Sequence, residues 1–446
     1  MTTIRPSMYF VQTWGCQMNE RDSEIIAGML DEMGMKQAVA PEEADLMVLN
    51  TCCVREKAEQ KVYARIGELV KNKKANPDIF IVVCGCMVQQ KGVPEHIARR
   101  FPEVNLILGT HNLYRLPELL KTAGNKGVLI EVLEDRPESF PDTLPVQTNK
   151  LKAKVNISFG CNNFCSYCIV PYVRGREVSR KPEAIIGEIT HLAENGCKEV
   201  LLLGQNVNSY GNDNENYPDF SDLLLQVAAV EGIRRIRFMT SHPKGFSDKL
   251  IDTIAGCEKV CNHVHLPVQA GSTGVLKAMN RGYTRDQYLS LVERIKKNIP
   301  GVSLTSDIIV GFPGEKEEDF QNTLDLIRQV RFDSAYTFMY SPRRGTRAAS
   351  LEDPVSPEVK RERLDRLMEV QNEISLELNR EYVGRTVEVL LENRSERKDG
   401  RIVYSGRTCT NKIVSVENGE NKDLMGQFVQ VQITEAKTWS LKGRLV

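Results

Sequence analysis

Three cysteines lie close together in the run Gly160-Cys161-Asn162-Asn163-Phe164-Cys165-Ser166-Tyr167-Cys168. This spacing supplies three thiolates and no fourth ligand nearby. A structural zinc site uses four closed ligands, usually two separated Cys-x-x-Cys pairs, whereas an iron-sulfur cluster can be held by thiolates with one iron left open. The run therefore predicts a 4Fe-4S cluster with an open iron, and zinc or metal-free packed thiols are the alternatives.

The composition allows a multidomain enzyme and shows no strong charge bias. A chain of 446 residues is long enough for about three domains. Lys+Arg and Asp+Glu both number 59, so any RNA contact must use local patches. The chain start lacks the apolar core of a signal peptide, and no apolar run approaches the ~18 residues of a membrane span. We expect a cytoplasmic protein without a membrane partner, in which twelve cysteines favour metal ligation over disulfides.

Three apolar strands in the amino-terminal part each stop at a thiol. The strands are predicted at 8–12, 46–49 and 79–83, and they run into Cys16, Cys52, and the pair Cys84 and Cys86. Helical patterns at 24–33 and 55–74 separate them, which predicts a doubly wound parallel sheet. Ligands of such sheets bind at the carboxyl ends of the strands, so the three turns could converge on a second cluster. The alternative is that these cysteines are small buried hydrophobes.

Spacing alone does not identify which cysteine of two closely spaced pairs would bind metal. Cys52 and Cys53 are adjacent, so their side chains point in different directions and one of them is not expected to bind metal. Cys84 and Cys86 are separated by Gly85 and could both face the same side. The spacing alone does not choose between them.

A second series of strands and helices begins near residue 150. Strands are predicted at 154–158, 199–203, 235–239, 263–268, 303–310 and 335–340, with helices at 182–194, 285–297 and 317–330. This alternation predicts a partial parallel (β/α)6 barrel, and the Cys161 to Cys168 loop follows its first strand, on the face where barrel active sites gather. The proline-containing stretch 132–150 is the predicted linker between the two sheets.

The carboxy-terminal part has a different pattern. Short strands are predicted at 387–391, 402–405, 412–416 and 428–434 and near Leu441, which indicates a small β-barrel. From composition alone it could be an oligonucleotide platform or a structural cap. The charged stretch at 358–385 predicts a long helix with a solvated structural face, and a face for RNA is the alternative.

The cysteine run resembles the radical AdoMet (S-adenosyl-L-methionine) enzymes, in which AdoMet chelates the open iron. The segments 13–19, 49–55 and 84–89 resemble the amino-terminal domain of the methylthiotransferase family, and the carboxy-terminal part resembles the TRAM module, an RNA-binding appendage of that family. The resemblance implies two 4Fe-4S clusters and S-adenosyl-L-methionine as cofactors. It implies the cluster ligands Cys161, Cys165 and Cys168 in the barrel and Cys16, Cys52 and Cys86 in the amino-terminal domain.

Other segments are similar to AdoMet-contacting segments of the family. Glycine-bearing strand ends at 203–207 and 307–315 could by themselves be ligand sites or ordinary tight loops. The resemblance implies cofactor-binding roles for six residues, and no catalytic residue beyond the cluster ligands: Tyr167, Gly204, Gln205, Gln269, Ser272 and Asp307.

The family resemblance also implies a reaction. The segments 14–19 and 240–243 favour the branch that converts N(6)-dimethylallyladenosine next to the anticodon of tRNA to its 2-methylthio derivative at adenine C2. One AdoMet would methylate a sulfur at the auxiliary cluster, and a second would be cleaved to a deoxyadenosyl radical that removes hydrogen from C2. One departure is Arg344, where relatives commonly have proline, and it bears on the local loop geometry.

The implied organisation has an amino-terminal methylthiotransferase domain at 6–124, a radical AdoMet core at 147–380 and a TRAM-like RNA-binding domain at 381–446. The implied partners are a tRNA substrate and a reductant protein that donates electrons, and we expect a monomer. The alternatives are a methylthiotransferase for threonylcarbamoyladenosine tRNA, a radical methylase without sulfur insertion, and an RNA-binding iron-sulfur protein without this activity.

Overall fold

The computed structural model describes residues 7–53, 56–123, 127–134, 149–418 and 423–446. It is an α/β protein built from a parallel sheet, a partial parallel barrel and a small closed β-barrel. This is the fold class that the sequence predicts. The middle of the predicted linker, 135–148, lies outside the described residues.

The amino-terminal unit is one parallel sheet with the strand order β2-β1-β3-β4-β5-β6. Its strands are β1 Met8–Thr13, β2 Lys36–Gln37, β3 Leu46–Thr51, β4 Phe80–Gly85, β5 Leu106–Leu108 and β6 Leu129–Glu131. Its helices are α1 Gln17–Glu32, α2 Glu56–Ala75, α3 Val93–Arg100 and α4 Leu116–Thr122.

Alternate residues of the central strands are buried on opposite faces of this sheet. Leu46 and Val48 share one apolar core with Ile26 of α1, and Met47 shares the other core with Ile66 of α2. Both faces are covered because apolar side chains at successive strand positions point to opposite sides. The sheet is therefore doubly wound, as predicted.

The second unit contains six parallel strands of the predicted barrel, arranged as two three-stranded sheets. The strands are β7 Lys152–Asn156, β8 Ser158–Phe159, β9 Val178–Ser179, β10 Glu199–Leu203, β11 Arg235–Phe238, β12 His263–His265, β13 Ser303–Val310 and β14 Ser334–Met339; β8 and β9 form a separate hairpin. The helices are α5 Val170–Val173, α6 Pro182–Glu194, α7 Phe220–Ala228, α8 Asp248–Gly256, α9 Thr273–Ala278, α10 Arg285–Asn298, α11 Glu317–Val330 and α12 Pro357–Arg380.

The two three-stranded sheets join at the middle of the barrel. A parallel bridge links Ile236 of β11 to Val260, and the Cys261 N–H donates to the Ile236 carbonyl at 2.9 Å. The six strands then run in chain order, with β7 and β14 as the two edges. A barrel left open between these edges is the partial (β/α)6 barrel that the sequence predicts.

The interior of this barrel is polar. On β10, Val200 and Leu202 belong to the apolar core, while Glu199 lines an interior cavity. Lys154, Arg237 and His263 line the same cavity from other strands. Because successive strand residues alternate between faces, the apolar set packs against the outer helices and the charged set faces inward.

The carboxy-terminal unit is a closed barrel with the strand order β15-β16-β17-β19-β18. Its strands are β15 Thr386–Glu396, β16 Ile402–Thr408, β17 Ile413–Asn418, β18 Phe428–Ala436 and β19 Leu441–Leu445. Closure pairs both edges of each of these five strands.

The small barrel packs against the amino-terminal end of the larger one. Arg235, at the start of β11, donates to the Arg407 carbonyl at 2.8 Å and to the Glu388 carbonyl at 3.1 Å. Arg237 donates to the carbonyls of Cys409 and Thr408 at 3.0 and 2.6 Å. Both arginines are buried. The small barrel is thus also a structural cap that closes the base of the larger barrel.

The long charged helix α12 is part of this framework. Its Arg363 is buried and pairs with Glu315 at 2.8 Å, and its Leu367 and Ile374 belong to the main core.

Within the described ranges, none of the helices combines the length and apolar character that a membrane span needs. We keep 6–124, 147–380 and 381–446 as proposed domain boundaries; positions 6, 124 and 147 lie outside the described residues.

The contact between the small barrel and the larger one predicts that two neighbouring arginines contribute differently to thermal stability. Arg235→Gln should lower the thermal unfolding midpoint of the full chain by several degrees, because losing buried charged donors to backbone carbonyls costs about 3 kcal/mol. Arg234→Gln is the matched control: Arg234 is exposed, and its ion pair with Glu388 is worth at most about 1 kcal/mol. Equal midpoints for the two variants in differential scanning calorimetry would contradict the cap.

Candidate functional site

The barrel thiols lie at the carboxyl ends of the barrel strands. The loop that carries Cys161, Cys165 and Cys168 follows β8, and all three line one cavity of about 160 Å³. Four of the predicted cofactor-binding residues line this cavity too: Tyr167, Gln205, Gln269 and Asp307. The structure therefore brings these residues together from four separate segments of the chain.

Gly204 and Ser272 do not line this cavity. Gly204 is buried at the end of β10, where a Cβ would lie 2.6 Å from the Ser158 hydroxyl, so glycine is needed for packing. Ser272 precedes α9, and its hydroxyl donates to the Asp319 carboxylate at 2.5 Å. Both residues support neighbouring strand ends in this structure.

Polar groups point at two of the barrel thiols. The Asn163 amide donates to Cys161 Sγ at 3.4 Å, and the Arg281 guanidinium donates to Cys165 Sγ at 3.3 Å. Burial raises the pKa of the Cys161 thiol and raises the pKa of Cys168 to about 12. Such thiols are poor nucleophiles at neutral pH, but they suit metal ligation, since a bound cation stabilises the thiolates.

Arg281, Ser241 and His242 also line the cavity, although no pattern in the sequence marks them as cavity residues. The His242 Nδ1 accepts a hydrogen bond from the Lys244 N–H at 3.3 Å, which leaves the ring proton on Nε2. Burial, together with nearby Arg281, lowers the pKa of His242 to about 3, so the ring is neutral. Within the segment 240–243, which resembles the family branch, Thr240, Ser241 and His242 line the wall of the cavity.

The amino-terminal thiol turns meet around Asn19. The Asn19 amide donates to the Trp14 carbonyl and to the Thr51 carbonyl, both at 2.9 Å. These carbonyls lie just before Gly15-Cys16 and Cys52. The Asn19 Oδ1 lies 3.6 Å from Cys86 Sγ. One buried amide thus fixes the three turns that carry the predicted auxiliary ligands Cys16, Cys52 and Cys86.

The adjacent cysteines Cys52 and Cys53 face different surroundings. A Cβ built on Gly15, whose φ is +127°, would lie 3.1 Å from Cys52 Sγ, so Cys52 lies against the Cys16 turn. Cys53 is buried in the core beneath α2. A hydrogen bond from the Cys53 thiol lowers the pKa of Cys86 to about 6. Cys53 therefore supports Cys86 from the core side.

Cys84 and Cys86 point to opposite sides of the sheet. Cys84 lies inside β4 and belongs to the core shared with α1, whereas Cys86 follows the strand and borders the other core. Gly85 between them has a φ of +96°, and a Cβ there would lie 2.4 Å from the Thr51 carbonyl. This turn changes the direction of the chain, which the alternation of residues in the sequence does not reveal.

Arg174 connects the two thiol groups. It caps α5, the short helix that directly follows Cys168, and its guanidinium donates to Cys86 Sγ at 3.2 Å. The same side chain pairs with Asp22 of α1 at 2.6 Å. A single buried arginine therefore joins the loop of the barrel thiols to the amino-terminal thiols.

The donor sets fit iron-sulfur clusters better than a single ion. Among the described residues, no three His, Cys, Asp or Glu side chains are grouped closely enough to hold one metal ion. In a 4Fe-4S cluster each thiolate binds a different iron, so the thiols are spread over the corners of the cluster. Two groups of three thiols match that arrangement, and side-chain N–H groups donate to sulfurs in both groups.

Three further cysteines lie away from both thiol groups. Cys261 is buried against Cys409 of the small barrel, and Cys197 donates to the Glu199 carbonyl at 3.3 Å. His263 and His265 both contact the Thr305 hydroxyl at 3.0 Å.

Three family profiles match successive parts of the chain. The Radical SAM superfamily matches residues 155–327, the Uncharacterized protein family UPF0004 matches residues 8–109, and the TRAM domain matches residues 380–446. The fold and the site thus define a radical SAM protein with a second thiol site and a TRAM domain. This class confirms AdoMet and iron-sulfur clusters as its cofactors.

Close relatives identify the family. The chain is 52% identical over 440 residues to the tRNA-2-methylthio-N(6)-dimethylallyladenosine synthase of Alkaliphilus oremlandii, with 98% of this chain and 92% of the relative covered. It is 53% identical over 441 residues to the enzyme of the same name from Desulforamulus reducens, with 98% and 95% covered. The chain belongs to the tRNA-2-methylthio-N(6)-dimethylallyladenosine synthase family.

Solved structures share the fold at low identity. The radical S-adenosylmethionine methyltransferase TsrM from Kitasatospora setae, with cobalamin and a [4Fe-4S] cluster bound, superimposes with a TM-score of 0.56 at 14% identity and covers 77% of this chain and 76% of its own. The cobalamin-dependent radical enzyme OxsB, with aqua-cobalamin bound, gives a TM-score of 0.53 at 14% identity and covers 83% and 56%.

The opposite orientations of Cys84 and Cys86 give a direct prediction. Cys86→Ala should remove the electron paramagnetic resonance signal of the reduced auxiliary cluster, while Cys84→Ala should keep it, because Cys84 points into the core beneath α1. Cys84→Ala also controls for the loss of a buried thiol. Loss of the signal in Cys84→Ala with retention in Cys86→Ala would show that the ligand assignment is wrong.

Proposed function

We propose that this protein converts N(6)-dimethylallyladenosine next to the anticodon of tRNA to its 2-methylthio derivative. The proposed ligands are Cys161, Cys165 and Cys168 for the barrel cluster and Cys16, Cys52 and Cys86 for the auxiliary cluster. The proposed AdoMet contacts are Tyr167, Gln205, Gln269 and Asp307 in the cavity wall, with Gly204 and Ser272 supporting them from behind.

One observation carries this proposal: two separate thiol groups are tied together by Arg174. A radical methylase without sulfur insertion needs the barrel group alone. A second thiol group held against the first is what sulfur transfer requires, because the sulfur must reach the carbon from which hydrogen has been removed. The names of the relatives and the segments 14–19 and 240–243 favour dimethylallyladenosine over threonylcarbamoyladenosine as the substrate.

The side chains of this chain bind and orient those groups and exclude water from them. When bound, the clusters and AdoMet supply the electron, the hydrogen-abstracting radical and the methylated sulfur. Tyr167 is half-buried in the cavity wall, and the neutral His242 offers an Nε2–H donor to the cavity. Asn19 of α1 holds the turns of the auxiliary site, and Arg174 donates to the Asn19 Oδ1 at 2.7 Å from the side of the barrel.

A groove between the barrel edges suits a single-stranded RNA loop. Cavities of about 200 and 300 Å³ share Tyr336, Arg407 and Asn411, and together they extend from Trp439 of the small barrel to Lys154 on β7. The side chains of Trp439 and Tyr336 are 59% and 52% exposed. Exposed aromatic rings beside arginine and amide groups favour stacking of unpaired bases.

The groove leads toward the cofactor cavity. The Tyr336 ring centre lies 5.9 Å from that of His265, and His265 Nε2 lies 3.5 Å from Asp307 Oδ1. Asp307 lines the thiol cavity. An adenine inserted past Tyr336 would thus approach the cluster from inside the barrel.

The partners follow from the same proposal. A reductant protein must supply electrons for AdoMet cleavage, and the chain works on tRNA as a monomer in the cytoplasm. The reductant protein, the monomeric state and the cytoplasmic location remain predictions from the sequence.

The division of labour between the thiol groups is testable with purified, reconstituted protein. The triple variant Cys16→Ala, Cys52→Ala, Cys86→Ala should still form 5′-deoxyadenosine with a strong reductant, because the barrel group is intact, but it should make no methylthio product on dimethylallyladenosine tRNA. The variant Cys84→Ala, Cys197→Ala removes two packed thiols as a matched control and should keep both activities. Liquid chromatography with mass spectrometry reads both products.

The reciprocal triple variant of Cys161, Cys165 and Cys168 should form no 5′-deoxyadenosine. Methylthio product from the amino-terminal triple variant would show that the second thiol group is structural, and another radical reaction would replace the proposed one.

The groove gives a separate prediction for tRNA binding. Tyr336→Ala and Trp439→Ala should each weaken tRNA affinity about tenfold, since a stacked base contributes roughly 1–3 kcal/mol. Tyr336→Phe should bind as the parent does, and Leu225→Ala on the outer helix α7 controls for loss of an exposed apolar side chain. Unchanged affinity in the double alanine variant, measured by filter binding, would place the RNA elsewhere.

A further inference from the structure

Arg281 is held rigidly beside the barrel thiols. Its guanidinium donates to the Pro267 carbonyl at 2.8 Å, to the Tyr283 hydroxyl at 3.0 Å and to Cys165 Sγ at 3.3 Å. The Tyr283 hydroxyl in turn donates to the Val268 carbonyl at 3.0 Å. The side chain is 6% exposed, so its charge is removed from water.

The charge of Arg281 has no acidic partner among the described residues. Six arginines of the described chain are buried, and five of them lie within 4.0 Å of a carboxylate: Arg21, Arg174, Arg235, Arg237 and Arg363. Arg281 contacts a backbone carbonyl, a phenol and a thiol. Among the described buried arginines, Arg281 at the thiol cavity is therefore the exception to pairing with a carboxylate.

A buried charge without a counter-ion costs several kcal/mol. The neighbouring titratable groups do not supply negative charge, because His242 is neutral and burial raises the pKa of Tyr283. A bound anion is the simplest way to compensate the charge. Cluster ligands are thiolates, and the Cys165 sulfur is the one at hydrogen-bond distance from the guanidinium.

We propose that Arg281 provides the counter-charge of the barrel cluster through Cys165 and raises its reduction potential. This rests on the proposed function only in that a cluster is bound by Cys161, Cys165 and Cys168. Positive charge and N–H donation to a cluster sulfur stabilise the state with the added electron, so a weaker reductant suffices. Arg281 is a positioning residue in this role, since it acts through a ligand and touches no reacting atom.

The auxiliary site has a different electrostatic arrangement. Arg174 donates to Cys86 Sγ at 3.2 Å, but its charge is already balanced by Asp22 at 2.6 Å. The auxiliary thiols thus receive a hydrogen bond without a net positive charge. Among the buried arginines of the described ranges, the one without a carboxylate partner lies at the cluster that must accept an electron for AdoMet cleavage.

The test is a potentiometric titration followed by electron paramagnetic resonance on the reconstituted full-length chain without AdoMet. The chain carries Cys16→Ala, Cys52→Ala and Cys86→Ala, so that the signal comes from the barrel cluster. Arg281→Met removes the charge at similar volume, and Arg281→Lys keeps the charge. Arg294→Gln is the matched control. It removes an exposed arginine of α10 that pairs with Asp248 of α8.

The midpoint potential should become more negative in Arg281→Met, shift less in Arg281→Lys and stay unchanged in Arg294→Gln. An unchanged potential in Arg281→Met at full iron content would overturn the proposal. If Arg281→Met loses its iron, retention of iron by Arg281→Lys supports the counter-charge, and loss from both variants overturns it. A shift that arises only after AdoMet is added would assign the counter-charge to the AdoMet carboxylate instead.

These outcomes are separate from a failure of the proposed function. If the parent chain holds no iron-sulfur cluster at all, the proposed function fails with it. If the parent cluster forms and cleaves AdoMet but the variants titrate like the parent, only the role of Arg281 is lost.

Discussion

The ion pair between Arg174 and Asp22 holds the two candidate reaction centres in one place. It is buried, it measures 2.6 Å, and it joins the end of the barrel thiol loop to the helix that begins at Cys16. Around it, Arg21 of α1 pairs with Glu188 of α6, and Lys154 of β7 pairs with Glu20 at 3.0 Å. Buried pairs contribute little net stability, but breaking one leaves a stranded charge, so they favour a single docking arrangement.

The incomplete barrel depends on its neighbours for closure. Its interior carries Lys154, Glu199 and Arg237, and such a charged interior does not pack into a dry core. The small barrel closes the base by offering backbone carbonyls to Arg235 and Arg237, and the amino-terminal sheet docks beside the first strand. The open side between β7 and β14 remains as the route for a substrate.

Much of the fold is predictable because local patterns determine it. The predicted strands 199–203 and 303–310 and helices 182–194 and 317–330 match β10, β13, α6 and α11 to the residue. The thiols at strand ends follow from the same patterns, since parallel strands bring their carboxyl ends to one edge. Residue alternation does not separate Cys84 from Cys86, because the positive φ of Gly85 reverses the face.

The supporting residues of the site are not visible in the sequence. Arg174 contacts a thiol 88 positions away, and Arg281 contacts one 116 positions away. No local period or spacing marks such pairs, and a single arginine is most often a surface residue. Gly204 and Ser272 show the opposite error of sequence reasoning. They lie in segments that resemble cofactor-contacting segments, but in the structure they lie next to the cavity and do not line it.

The most direct measurement is mass spectrometry of tRNA nucleosides from cells that lack this gene, with a complemented strain as the control. The account predicts that 2-methylthio-N(6)-dimethylallyladenosine disappears and N(6)-dimethylallyladenosine accumulates, and that complementation restores the modification. Full retention of the methylthio nucleoside, or loss of the methylthio form of threonylcarbamoyladenosine instead, would contradict it.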